Sequence, residues 1–315
     1  MRRVPKKTGD YGIGIMIHTI HMTDDVKKLN DFYRDVFGAR LYLGVDEPTY
    51  LPPEDRWASL MMVSDLCVET MAPNLPVDAT KPVGKFYSKF GRHLHSVGYK
   101  VDDPAGLANF MIERGIYIGR PGGGKVETME PGVHYFFPSP RDMFGLMAEM
   151  CVMDMPGDPR LLPGWSDQQR AWETDHPLTI RRVAHVMLGV KDVRAATESY
   201  VNRVQAIPLH HGVDEVTRAT FQIVQLGDSL LKLVQPLDDS SDLGRHVAKY
   251  GNMIYAVTFR VADLDSAERW LARKSIRTRR PTPTTVAADP ADTWGAPYFF
   301  TTEPIPGDPF EELND

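Results

Sequence analysis

Residues 84–116, GKFYSKFGRHLHSVGYKVDDPAGLANFMIERGI, return without a gap as GRHVAKYGNMIYAVTFRVADLDSAERWLARKSI at 244–276. Gly84/Gly244, Lys89/Lys249, Gly91/Gly251, Val97/Val257, Val101/Val261 and Asp103/Asp263 fall in register. A second pair sets HTIHMTDDVKKLNDFYRDVFGA (18–39) on HVMLGVKDVRAATESYVNRVQA (185–206), matching His18/His185, Asp25/Asp192 and Tyr33/Tyr200. A small insertion separates the two pairs, since their offsets differ. The ends also align, YFFPSPRDMFGLMAEM (135–150) on YFFTTEPIPGDPFEE (298–312), which brings Glu149 over Glu312. Each half is itself double, because the strand–Asp–helix pattern that starts at His18 starts again at Ser96, with Asp25 falling on Asp103. A chain built this way folds as copies of one supersecondary unit.

Each of the four units reads as an alternating strand, an Asp at a helix N-cap, an amphipathic helix and then short strands separated by Gly/Pro turns, a βαβββ unit. The helix over 104–114 shows its period in Leu107, Phe110 and Met111, and GIYIG behind it marks a glycine stop followed by a strand. Residues 151–179 break the pattern with prolines and weak periodicity, and read as a linker with one short helix around Asp167–Trp172. The domains are therefore expected at 12–150 and 180–315.

Three hundred and fifteen residues suit two cores of about 150 residues each. At 42% hydrophobic and 25% charged residues the chain has the material for those cores, which excludes disorder and coiled coil. A formal charge of −6 provides no global attraction for phosphate backbones or anionic lipid, so neither nucleic acid nor membrane is an expected partner. Apolar runs such as GIGIMI (12–17) fall far short of the ~20 residues a membrane span needs, and no signal-peptide core follows the basic start. A cytoplasmic location is expected. Cys67 and Cys151 both lie in apolar sequence and read as free buried thiols.

The four units, the His that opens the first strand, and the Asp seven residues later before a helix containing FY and FG together resemble the vicinal oxygen chelate superfamily of glyoxalases, bleomycin-resistance proteins and extradiol dioxygenases. ETMAP (69–73), KFGRHLHSVGYKVDD (89–103) and SPRDMFGLMAEM (139–150) are similar to segments around the metal ligands in its methylmalonyl-CoA epimerase-like branch. The resemblance implies an α+β fold of four tandem βαβββ units in two cupped mixed sheets, with one divalent metal inside a cup. The ligand types do not choose among Zn, Fe, Mn and Co.

Carried over residue by residue, the resemblance makes His18, Glu69 and Glu149 metal ligands, with Glu69 or Glu149 as the catalytic base. Period-2 alternation puts His18, Ile20 and Met22 on one face of the strand, and Thr19, His21 and Thr23 on the other. The family's second ligand His falls on Ser96 here. His95 is one residue early, so by parity with Val97, Tyr99 and Val101 it faces the helix layer unless a bulge turns it inward. In the second half His185 remains, but Lys232 stands where Glu69 does and Ala256 where Ser96 does. An ammonium beside a bound cation is repulsive, so the metal is expected in 12–150 only, with 180–315 a degenerate partner. PGGGK (121–125) reads as a hairpin turn, since no Ser/Thr follows its Lys.

The implied chemistry is metal-assisted lyase or isomerase action on a small carbonyl or phenolic compound through an enolate. Two alternatives stand beside it. An Fe(II) extradiol-type dioxygenase would use His18, His95 and Glu149, and a bleomycin-resistance-type binder would use no metal. The expected partners are a small-molecule substrate and, at most, a second copy of the chain as a homodimer.

Overall fold

The computed structural model describes residues 6–43, 47–120, 124–152 and 158–311. The first half runs β1 (Ile13–Met22), α1 (Val26–Phe37), β2 (Arg40–Leu43), β3 (Thr49–Leu51), β4 (Arg56–Val63), β5 (Leu66–Pro73), α2 (Pro82–Phe90), β6 (His93–Val101), α3 (Pro104–Glu113), β7 (Tyr135–Phe136) and β8 (Ala148–Cys151). After α4 (Trp165–Thr174) the second half follows the same plan. It comprises β9 (Ile180–Gly189), α5 (Val193–Val204), β10 (Ile207–Asp214), β11 (Ala219–Leu226), β12 (Ser229–Pro236), α6 (Asp242–Tyr250), β13 (Met253–Val261), α7 (Leu264–Arg273), β14 (Thr278–Thr282), β15 (Thr285–Ala288) and β16 (Tyr298–Thr301).

Each half is one curled eight-stranded mixed sheet, ordered β2-β4-β5-β1-β6-β8-β7 with β3 on β4, and β10-β11-β12-β9-β13-β16-β15-β14. The four repeated aspartates do the same local work. Asp25, Asp103, Asp192 and Asp263 each cap a helix, accepting from the backbone N–H of Lys28, Gly106, Ala195 and Ser266. Each cap is worth about 1 kcal/mol against Ala and fixes where strand gives way to helix.

The helix-bearing faces of the two sheets share one apolar core. Phe37 of α1 packs on Phe259 and Tyr298 of the other half, at 5.7 and 5.2 Å between ring centroids. Tyr33 and Tyr298 join their hydroxyls at 2.5 Å, and the Trp270 indole donates to the Val36 carbonyl at 2.8 Å. Burying these rings on both sides couples the halves energetically. The opposite, concave faces of the sheets form two separate cups.

The connecting segment is more than a tether. α4 contains the expected helix, and Trp165 and Trp172 are buried. Arg160 is buried, paired with Asp158 at 2.8 Å, and donates to the carbonyls of Met16 and Ile17 in β1. Both cysteines are buried and neither forms a disulfide. No helix among the described residues is long and apolar enough to cross a membrane.

Two local expectations fail. GIYIG (115–119) forms isolated bridges, Ile118 to Pro138 and Gly119 to Lys125, instead of a strand; the expected hairpin turn at PGGGK falls on 121–123, which lie outside the described residues. The alignment of the chain ends is also wrong. Glu149 pairs with Gly98 and Phe299 with Thr258, so the counterpart of Glu149 is Phe299. The turns before them confirm it: Phe144 and Gly145 have φ of 51° and 90°, Trp294 and Gly295 of 56° and 85°. The two YFF triplets misled because one opens in β7 and the other in β16. Glu312 lies outside the described residues.

Candidate functional site

His18 stands in β1 at the floor of the first cup, buried, with Gly98 of β6 directly across from it. A Cβ at Gly98 would lie 2.9 Å from His18 Cε1 and 3.0 Å from Nε2, so the ring occupies the space that a side chain would take. That is why an isolated Gly sits in an otherwise apolar strand. Glu69 pairs in register with Ile20, and Glu149 with Gly98, which puts both carboxylates on the His18 face.

His18 Nε2 lies 3.6 Å from Glu69 Oε2 and 3.9 Å from Glu149 Oε2. It is buried and makes no hydrogen bond. Donors that share one cation at bonds of about 2.1 Å are roughly 3 to 4 Å apart, so these separations fit a shared ion. An orphaned imidazole nitrogen between two carboxylates would otherwise forfeit its hydrogen bonds on burial. The donors do not yet form a closed cage: no group of three or more His, Cys, Asp or Glu is gathered as a ready cluster among the described residues. Arg56 also engages this group: its Nη1 donates to Glu69 Oε1 while its Nε donates to Glu54 at 2.8 Å. Glu149 is freer. Burial raises its pKa above 4.5, with His18 pulling it down and Glu69 pushing it further up.

β6 does carry a bulge. Thr19 pairs with Val97 and His21 with Leu94, leaving Ile20 opposite both His95 and Ser96. Leu94 and Val97 both enter the shared core, so the two residues between them lie together on the other side, with Ile20. Of the two alternatives open for His95, the bulge is the one present. Its ring meets Phe86 of α2 at 4.3 Å, edge to face, and its Nδ1 bonds Ser96 Oγ at 2.8 Å. Burial, then Arg56, His93 and His18, lower its pKa to about 3, so it is a neutral imidazole. It does not come within 4.0 Å of a carboxylate among the described residues. His21 faces the other way, as alternation requires, bonding Tyr33 at 2.8 Å.

The second cup keeps the frame and changes the chemistry. Lys232 pairs with Met187 as Glu69 pairs with Ile20, so it is the counterpart of Glu69. It is salt-bridged to Asp214 at 2.8 Å, in a buried pair. Thr258 replaces Gly98 opposite His185, and Phe299 replaces Glu149. The strand bulges at Tyr255, the counterpart of His95. Sequence reasoning passed over Arg56, Gly98, Asp214 and Thr258. Gly98 left a signal, a lone Gly inside a strand; the pairing of Asp214 with Lys232 crosses two strands and left none.

Comparisons with known proteins agree with this architecture. Residues 15–150 match the Glyoxalase family model and residues 184–291 the Glyoxalase_4 model, both described as glyoxalase/bleomycin resistance protein/dioxygenase superfamily. Among solved structures, a mutant of 4-hydroxymandelate synthase from Streptomyces coelicolor is similar over 99% of this chain and 100% of its own, with TM-score 0.61 at 13% identity, a likeness of fold. Methylmalonyl-CoA epimerase from Mycobacterium tuberculosis is 25% identical over 40% of this chain and 90% of its own, with TM-score 0.37. A comparison with curated proteins returns no match. With both halves matched and each sheet built from paired βαβββ units, the chain belongs to the glyoxalase/bleomycin resistance/dioxygenase superfamily, the vicinal oxygen chelate proteins.

Proposed function

We propose that the first cup is a divalent-metal-dependent active site of the lyase or isomerase type, acting on a small carbonyl or phenolic compound through an enolate. The observation that carries this reading is the buried, partnerless Nε2 of His18 between Glu69 and Glu149. His18, Glu69 and Glu149 would hold the ion, with His95 on the same side of the sheet. When bound, such an ion supplies Lewis-acid stabilisation of a developing enolate oxygen.

The protein's own groups divide the remaining work. Arg56 fixes Glu69 through a salt bridge, which suits that carboxylate to charge balance. Glu149 is the base: unlike Glu69 it makes no salt bridge to Arg56, so its carboxylate can leave the ion as it takes a substrate proton. Met22, Met71 and Phe86 close the α2 end with apolar surface, which keeps water from that side.

The test is proton exchange. A panel of α-hydroxy-carbonyl and 1,3-dicarbonyl compounds in D2O, followed by proton NMR, is expected to include one whose exchange requires the bound metal and the Glu149 carboxylate. Glu149→Gln should lower that rate by about 100-fold or more. Undiminished exchange in Glu149→Gln refutes the assignment of the base.

The inward His95 favours one second reading, an Fe(II) extradiol-type dioxygenase using His18, His95 and Glu149. It predicts catechol-dependent oxygen uptake by anaerobically iron-loaded protein, lost in His95→Ala. The lyase or isomerase reading predicts none.

A further inference from the structure

The second cup encloses about 440 Å³, the size of a small-molecule site. Its apolar walls include Met187, Phe221, Ile223 and Phe299. Two polar side chains line it without partners: both ring nitrogens of His185 and Thr258 Oγ1 are buried and make no hydrogen bond. The residues are only 5% and 2% exposed, so leaving them unsatisfied is costly. Burial, then the Lys232 and Arg182 cations, hold His185 well below its usual pKa, which leaves a neutral ring with one donor and one acceptor nitrogen.

The charges around the cup select against ions. Glu215 and Glu303 line it and repel an anion. Lys232 and Asp214 close on each other as a buried pair, so neither is left to compensate the desolvation of a bound ion. What fits is an apolar ring carrying a hydroxyl, which can donate to one group and accept from the other.

We propose that the second cup is a metal-free binding site for an uncharged hydroxylated aromatic compound, with His185 and Thr258 holding its hydroxyl. The half that lost its metal residues would thus bind a ligand instead of serving only as structure.

Calorimetric titration of the full-length protein with 2-naphthol tests this, with 2-naphthoate and 2-naphthylmethylammonium as charged counterparts of the same body. The expected result is one equivalent of 2-naphthol bound, unchanged by EDTA or by Glu149→Gln, with both ions at least 10-fold weaker. Thr258→Val and His185→Leu should each weaken 2-naphthol by 10-fold or more. Thermal melting identifies any variant that fails to fold, and the near-isosteric Thr258→Val then decides alone. No binding, equal binding of 2-naphthoate, loss of binding with EDTA or in Glu149→Gln, or undiminished binding in Thr258→Val would each overturn the proposal. The EDTA and Glu149→Gln arms report on the first cup separately, so failure here leaves the proposed metal site untouched.

Discussion

The two cups share a strand order, a bulge and a histidine at the floor, yet their electrostatics are inverted. In the first, an anion on the inner strand, Glu69, is held by a cation, Arg56, and faces a second anion, Glu149. In the second, a cation at the same register, Lys232, is held by an anion, Asp214, and faces Phe299. Even the aromatic pair at the bulge is exchanged: His95 against Phe86 in one cup, Tyr255 against His246 in the other. The scaffold therefore supplies positions, and the side chains at those positions set the charge that each cup offers. The second cup thus lacks both carboxylates of the first, and its one inner-strand charge, Lys232, is closed off by Asp214.

The largest effect should come from moving one residue of the second cup into the first. Glu69→Lys places an ammonium beside His18 and removes a donor, and metal affinity should fall by about 1,000-fold or more; affinity retained within 10-fold would break the comparison. The converse, Lys232→Met, leaves Asp214 buried without its cation, though the Thr217 hydroxyl and Val216 N–H still donate to it. Denaturant titration should report a loss near the low end of about 3–5 kcal/mol. Metal stoichiometry should not change. Gly98→Ala sharpens the geometry, because a Cβ at 2.9 Å displaces the His18 ring. The expected outcome is a 10- to 100-fold loss of metal affinity with the fold intact, as for a misoriented ligand.

How much of this could be read in the sequence depended on the range of the interaction. The four aspartate caps were legible because a cap is set by residues three apart. His18, Glu69 and Glu149 were legible as a group through the family resemblance, and the fold through the repeat. The orientation of His95 was not, since it turns on one extra residue opposite Ile20 that alternation cannot see. The counterpart of Glu149 was misplaced because similar aromatic triplets occupy different strands, and only the pairing of Thr258 with Phe299 separates them. Arg56 and Asp214 reach their partners across strands, where no local pattern records the contact. The linker's role as a strap through Arg160, Trp165 and Trp172 was hidden for the same reason.

Metal stoichiometry tests the central claim most directly. Purified protein and its His18→Ala, Glu149→Ala and His185→Ala variants, each equilibrated with Zn, Mn, Fe and Co and analysed for bound metal, should separate the cups. One equivalent per chain in the wild type and in His185→Ala, and none in His18→Ala or Glu149→Ala, is the predicted result. Full occupancy in both His18→Ala and Glu149→Ala, or loss of the metal in folded His185→Ala, would contradict a single site in the first cup.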